Sequence, residues 1–530
     1  MKKGIILLGL GLGVYQFAIA QTTYSDIAPI LIENCGSCHR SGGGAPFSVL
    51  NYTETYNHRF AIQHEVDEGA MPPWGADTSY MHFVNERPIS QADKAAILQW
   101  IADGGLEGDP NALPTPPNYP STLLNGTPDL ILTMPTIQSN ANGADAYNTV
   151  VIPTGITQDR YIRAVEVIPA EPELAHHVVI AADSAGKVQN ELTGTSFNPE
   201  GDIAIGGYQP GANPIVFPNA PQLKMGIKLP ANADVVLQIH TPDIASYGPT
   251  LGDDIDLEVR IFLYPVGEQS IREVKTFVPL IYWGSDFWFN PGEIKTMSVD
   301  VSSFILAGGN KSLYSALPHS HQICTEILNY AHYNGDTIPL IKIDRWDFEH
   351  QEYYYYKNLV NVPSNYRYHA DHTYDNTSDN HHNPFDPPQF IEVGTNSTDE
   401  MLFDSFQYLI YEPGDENINV DSILSNDPLL NYPETVSGEH NKMEVRYKPS
   451  YVSPHPVVDQ ANIYFVHPHQ HWEVYSLWVY DIQGKRIALD YEVNEGFFTL
   501  TKGNLPSGIY SYEIRDQEAK IGEGKIIVSD

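Results

Sequence analysis

Leu313-Tyr314-Ser315-Ala316-Leu317-Pro318-His319-Ser320-His321 is the stretch on which the reading of the fold turns. A short, mostly apolar run is closed by a proline and followed at once by two histidines spaced two apart. On an extended strand such side chains project to one face, so His319 and His321 can reach a common point. The other half of the reading is Thr398-Asp399-Glu400-Met401, far along the chain. A thioether arriving from there would complete a soft, open ligand set. Imidazole with thioether favours copper over zinc, magnesium or calcium.

Working outward, the chain from Asp129 onward breaks into similar short runs: Leu130 to Met134, Thr149 to Ile152, Tyr161 to Ile168, Val178 to Ala182, Val235 to His240 and Ile255 to Phe262. A second set follows at Lys295 to Val301, Leu313 to Leu317, Leu340 to Trp346 and Met401 to Tyr411. The first set is bounded throughout by Pro, Gly, Asn or Asp, which is the signature of β-sandwiches. The chain is therefore expected to be mainly β, with two consecutive antiparallel, jelly-roll-like sandwiches at residues 129–270 and 271–448. A composition of 33 Tyr, 40 Pro and 40 Gly in 530 residues suits many strands and turns. Length allows three or four domains with sizeable cores.

A formal net charge of −37 argues against nucleic acid and against an anionic membrane surface as partners. Met1-Lys2-Lys3, the apolar Ile5 to Val14 and Ala18-Ile19-Ala20 read as a signal peptide over residues 1–20. The apolar run is too short to span a bilayer, and no later run approaches about 18 apolar residues, so no transmembrane segment is expected. Export usually spends cysteines on disulfides. Here there are three, and two of them belong to one motif.

That motif is Cys35-Gly36-Ser37-Cys38-His39. It lies between two runs of helical spacing, Tyr24 to Glu33 and Ser90 to Asp103, within a small all-α domain at 21–112. Two thiols can form thioethers with haem vinyl groups while His39 ligates the iron. No second cysteine pair exists to complete a zinc site. Met71, in the stiff Met71-Pro72-Pro73-Trp74 loop, supplies a sixth ligand. CGSCHR, Ala45-Pro46-Phe47-Ser48, MPPW and the closing ILQWIADGG resemble the small c-type cytochrome found at the front of multidomain bacterial oxidoreductases. The Pro-rich residues 107–128, with 113–128 as the linker proper, join this domain to the next.

A second histidine set comprises His176-His177 and His240. Adjacent histidines on a regular strand face opposite ways, so one metal could take both only if the backbone bulges or different ring nitrogens are used. Taken alone, the pair reads as one core and one surface histidine. The order HH, QIH, HSH, TDEM across two sandwiches resembles the copper type II monooxygenases, the peptidylglycine- and dopamine-hydroxylating family. The resemblance extends through Gly206-Gly207-Tyr208-Gln209-Pro210-Gly211, Asp344-Arg345-Trp346-Asp347-Phe348 and Tyr374-Asp375-Asn376, covering about 320 residues. It implies two coppers per chain, an electron-donating one on His176, His177 and His240 and an O2-binding one on His319, His321 and Met401. It also implies hydroxylation of an aliphatic C–H of a small molecule with O2 and an external electron donor.

The peptide-amidating members carry an Arg two residues before HxH, and an Asn and a Tyr two and four residues after the Met. Here those positions are Leu317, Phe403 and Ser405. A buried carboxylate left without a cation is costly, so an apolar or aromatic substrate is expected instead. The family's disulfides are absent as well. Haem beside copper suggests that electrons pass from the tethered haem c to the three-His copper.

Other features read as structural. Asp375 to Pro388 is expected to be a solvated turn rather than a calcium loop. Tyr353 to Tyr356 would turn only half its rings inward. His467 to His471 would be a surface loop, and Cys324 an inert buried thiol. Residues 449–530 form a small C-terminal β-sandwich. Its order Pro454-His455-Pro456, Asp481-Ile482-Gln483-Gly484-Lys485, Leu505-Pro506-Ser507-Gly508-Ile509-Tyr510 and a final Lys525 to Val528 resembles the sorting domain of type IX secretion substrates. That implies the type IX machinery as partner and a secreted or cell-surface location. The whole reads as a secreted copper- and haem-dependent monooxygenase. The alternative is an extracellular electron-transfer or copper-binding protein that hydroxylates nothing.

Overall fold

The computed structural model describes residues 21–430 apart from 42, 44, 118, 120–121, 139–140, 142–144, 171–173, 176, 195–199, 242–253, 283 and 303–308, and residues 450–528 apart from 454–456, 458–459, 466–474, 482–484, 488, 495–496, 504 and 517–518. The expected signal peptide, His176, Pro454-His455-Pro456 and His467 to His471 lie outside the described residues.

The molecule is mainly β. Four helices, Tyr24–Asn34, Tyr52–Asn57, Arg59–Asp67 and Gln91–Ala102, form the N-terminal unit around Ile27, Leu31, Ile97 and Trp100. Ser90 caps the last of them, its hydroxyl accepting the Asp93 N–H at 3.0 Å, as expected of an N-cap serine. Helical spacing marked the first and last helices. The two middle ones carry too few apolar residues to announce themselves.

Two sheets make the first sandwich. One contains Leu130–Thr133, Leu257–Leu263, Arg160–Pro169 and Leu223–Leu229; the other is Ala146–Pro153, Asp234–Thr241, His177–Asp183 and Ile203–Tyr208, in spatial order. Alternate Val, Ile and Leu side chains from both fill one core. The second sandwich pairs Lys275–Ile281, Phe403–Ile410, Lys311–Leu317 and Tyr354–Val362 against Glu293–Ser302, Arg367–Asn376, Cys324–Tyr333 and Asp336–Ile343. The C-terminal unit is two four-stranded sheets.

Two sequence expectations are corrected. His319 and His321 were expected on a strand, but the strand ends at Leu317 and both lie in the connection to Cys324–Tyr333. Pro318 has no N–H to continue the ladder, so the backbone leaves the sheet there. Met401 likewise precedes its strand, which begins at Phe403.

The expected boundaries also blur. Ala76 and Phe83, from the N-terminal unit, lie in the core of the second sandwich. Val420, Ile423 and Leu424 pack into the core of the first, and Arg163 of that sandwich grips Asp427 at 2.6 Å.

Candidate metal centre

Proline ends the strand, and the following turn is then held by a buried scaffold. The carboxylate of Glu400, fully buried, accepts the backbone N–H groups of His321 (3.0 Å), Ile323 (2.8 Å) and Met401 (3.2 Å). Burial raises its pKa to about 8, while those N–H groups pull the other way. The His319 N–H goes to Asp404 at 3.2 Å. Ser320, between the histidines, places its hydroxyl 2.7 Å from His372 Nδ1 and 2.9 Å from the Met401 carbonyl. His372 Nε2 in turn meets Asp404 at 3.0 Å.

This Ser–His–Asp chain has the residue types of a hydrolytic triad, with the roles of the two ring nitrogens exchanged. Yet Ser320, His372 and Asp404 are each 0 % exposed, so no substrate reaches the hydroxyl. Its role is to fasten the His319–His321 turn to Met401.

Each imidazole is oriented through Nδ1: His319 against Gln351 Oε1 at 2.5 Å, His321 against the Asp399 carbonyl at 3.0 Å. Nε2 is then the nitrogen that would carry a metal. The rings lie 5.2 Å apart, centroid to centroid. Burial lowers His319 to about 3 and His321 to about 4, which keeps both neutral, the form a metal requires. Soft Met401 lines the same cavity. The donor set fits copper.

Across the cavity, His177 and His240 stand opposite each other on paired strands. Their outer nitrogens are anchored, His240 Nε2 on Asp145 at 3.0 Å and His177 Nε2 on the Glu349 carbonyl at 3.1 Å. Their Nδ1 atoms converge to 3.3 Å. Two Nδ1 atoms turned to one point also fit copper.

Both pairs open on one cavity of about 670 Å³, walled by Tyr208, Phe348, Tyr353, Tyr355 and Phe403. Tyr353 and Tyr355 face it, while Tyr354 and Tyr356 pack with Phe83, so alternation divides the tyrosine run as expected. The N-terminal unit supplies Trp74 and Arg87 to the wall. Arg87 is bound to Glu352 through both carboxylate oxygens, at 2.8 and 3.0 Å. Its charge is thereby balanced.

In the CGSCH turn, Cys35 and Cys38 are in no disulfide, and His39 Nδ1 faces the Phe47 carbonyl at 3.2 Å. Burial lowers His39 to about 4, so Nε2 of a neutral ring would bind iron. Met71 is 37 % exposed, and His58, which spacing did not single out, stacks on Phe47 at 4.1 Å. Gly211 comes so close that a Cβ there would lie 2.4 Å from Cys38 Sγ. The glycine-rich strand end thus abuts the CGSCH turn. Cys324 is buried with its thiol pKa raised, and Asn380 and Asn383 tie the Asp375 to Pro388 segment to itself, as a turn does.

Sequence reasoning missed Gln351, Asp145, Glu352 and Arg87. Each becomes meaningful only once folding brings it to the cavity.

A family match identifies residues 451–529 as a secretion system C-terminal sorting domain. The protein is thereby secreted or held at the cell surface through type IX secretion. No curated protein matches the chain. Among solved structures, a chain of the infectious bursal disease virus VP2 subviral particle aligns over 57% of this chain and 76% of its own, at 9% identity and a TM-score of 0.12, a likeness that carries no argument. Among the described residues no helix is long and apolar enough to cross a membrane.

Proposed function

We propose that the chain is a copper-dependent monooxygenase that hydroxylates an aliphatic C–H of a small, uncharged, apolar or aromatic molecule. The observation that carries this reading is that His177, His240, His319, His321 and Met401 all line one cavity. Copper held by His319, His321 and Met401, and by His177 and His240 with His176, would supply O2 activation and the two electrons each turnover needs. Cys35, Cys38 and His39 would hold a haem c, which would supply electron transfer from an external donor.

The chain's own residues shape the rest. Gln351 and the Asp399 carbonyl fix the rings of His319 and His321, and Asp145 and the Glu349 carbonyl fix the other pair. Aromatic walls exclude water and receive an apolar body. With Arg87 neutralised by Glu352 and Leu317 where a cation would stand, a substrate carboxylate finds no partner there.

The test is O2 uptake by the copper-loaded haem protein under ascorbate, with pools of extracellular metabolites, beside Met401→Ala. Substrate-dependent uptake lost in Met401→Ala supports the oxygenase. Slow reoxidation that Met401→Ala does not alter, whatever the pool, favours an electron-transfer or copper-binding protein.

A further inference from the structure

We propose that Asp300, His332 and His369 form a separate divalent-metal site on the second sandwich, away from the cavity, with donors suited to zinc. Three neighbouring strands, Glu293–Ser302, Arg367–Asn376 and Cys324–Tyr333, carry them. Asp300 and His369 are direct cross-strand partners, and His332 pairs with Arg367 two residues away. One ligand atom from each lies within 4.8 Å of the others.

The carboxylate is divided between two kinds of partner. Arg367 Nε takes Oδ1, and its Nη2 takes the Asp300 carbonyl at 3.0 Å. Oδ2 is left to the imidazoles, His332 Nε2 at 2.6 Å and His369 Nδ1 at 3.2 Å. The far nitrogen of His369, Nε2, faces Asp371 Oδ1 at 3.0 Å, and that oxygen also accepts the Ser298 hydroxyl at 2.5 Å. Tyr330 stacks on the His369 ring at 4.6 Å.

If Nε2–H donates to Asp371, His369 Nδ1 bears a lone pair and meets a carboxylate oxygen, acceptor against acceptor. A cation between them resolves that opposition; so does a second proton on the ring, and the experiment separates the two. A carboxylate behind a histidine is how metal-binding imidazoles are commonly oriented. Two nitrogens and one oxygen, partly exposed, leave a fourth position for water, and zinc takes such a set tetrahedrally at about 2.0–2.2 Å.

The experiment counts zinc ions bound by the metal-free full-length chain at pH 7.5, by titration calorimetry with Zn²⁺ alone. His332→Ala should bind one fewer ion than wild type, and Asp371→Asn should weaken that one ion about 10- to 100-fold. Arg367→Gln, which removes the competing guanidinium, should tighten it. Equal zinc counts in wild type and a folded His332→Ala, or an unchanged affinity in Asp371→Asn, would overturn the site in favour of a protonated His–Asp cluster. No oxygen chemistry enters, so the result is independent of the proposed monooxygenase activity.

Discussion

Ser320 shows how little of a site lies in its ligands. The residue between two histidines would ordinarily be a spacer, yet its hydroxyl joins His372, the Tyr374 hydroxyl at 3.1 Å and the Met401 carbonyl. Since that cluster is wholly buried, removing the hydroxyl leaves polar groups with no water to turn to. Ser320→Ala is expected to cost about 1–3 kcal/mol of stability, read from urea midpoints of the metal-free protein. It should also lower Cu(I) affinity about 10- to 100-fold in a chelator competition, because Met401 loses one of its ties to the histidine turn. Unchanged copper affinity would reduce the network to plain core packing. The histidine pair stood out in the sequence because its members sit two apart, although a turn rather than a strand carries them. Asp404, His372 and Gln351 did not, since nothing in a single sequence marks a partner that arrives from another strand.

At the scale of elements, the segment from Trp74 to Arg87 departs most from the sequence reading. It reads as a loop of the helical domain, behind a linker, but it is stitched onto the second sandwich. Val84 N–H bonds the Tyr355 carbonyl at 2.7 Å, Asp77 N–H the Lys342 carbonyl at 2.8 Å, and Lys357 N–H the His82 carbonyl at 3.0 Å. Periodicity could not reveal this, because single bridges carry no repeating pattern. On the other side Gly211, with φ of +81°, admits Cys38 where no side chain fits. Gly211→Ala therefore combines an unfavourable φ, costing about 1–2 kcal/mol, with a direct clash. The expected outcome is faster cleavage in the 113–128 linker under limited proteolysis and, with haem and copper bound as proposed, slower electron transfer between them. Wild-type values for both would mean that the two surfaces meet without consequence. The sandwiches themselves were legible from alternation and turn residues, which act locally.

On the scale of the whole molecule, acid should act through two opposing terms. A net charge of −37 means that protonating carboxylates relieves self-repulsion as pH falls. Working against it are histidines held neutral by burial: His39 and His321 lowered to about 4, His319 to about 3. Once unfolded, each returns to about 6.5. Their folded pKa values lie below the unfolded ones, so from about pH 6.5 downward the unfolded chain takes protons that the folded chain refuses. Stability contributed by these rings is intact above that value and falls toward pH 4, by up to about 1.4 kcal/mol per pH unit for each ring. The two terms separate in a difference experiment. Urea midpoints of the metal-free chain at pH 7.5, 6 and 5 are compared with those of a His39→Gln, His319→Gln, His321→Gln variant, which keeps the carboxylates but lacks these rings. The variant should lose less stability on acidification than the wild type. Parallel pH profiles would show that these imidazoles are protonated in the folded chain as readily as in the unfolded one, and that burial does not hold them ready for a metal.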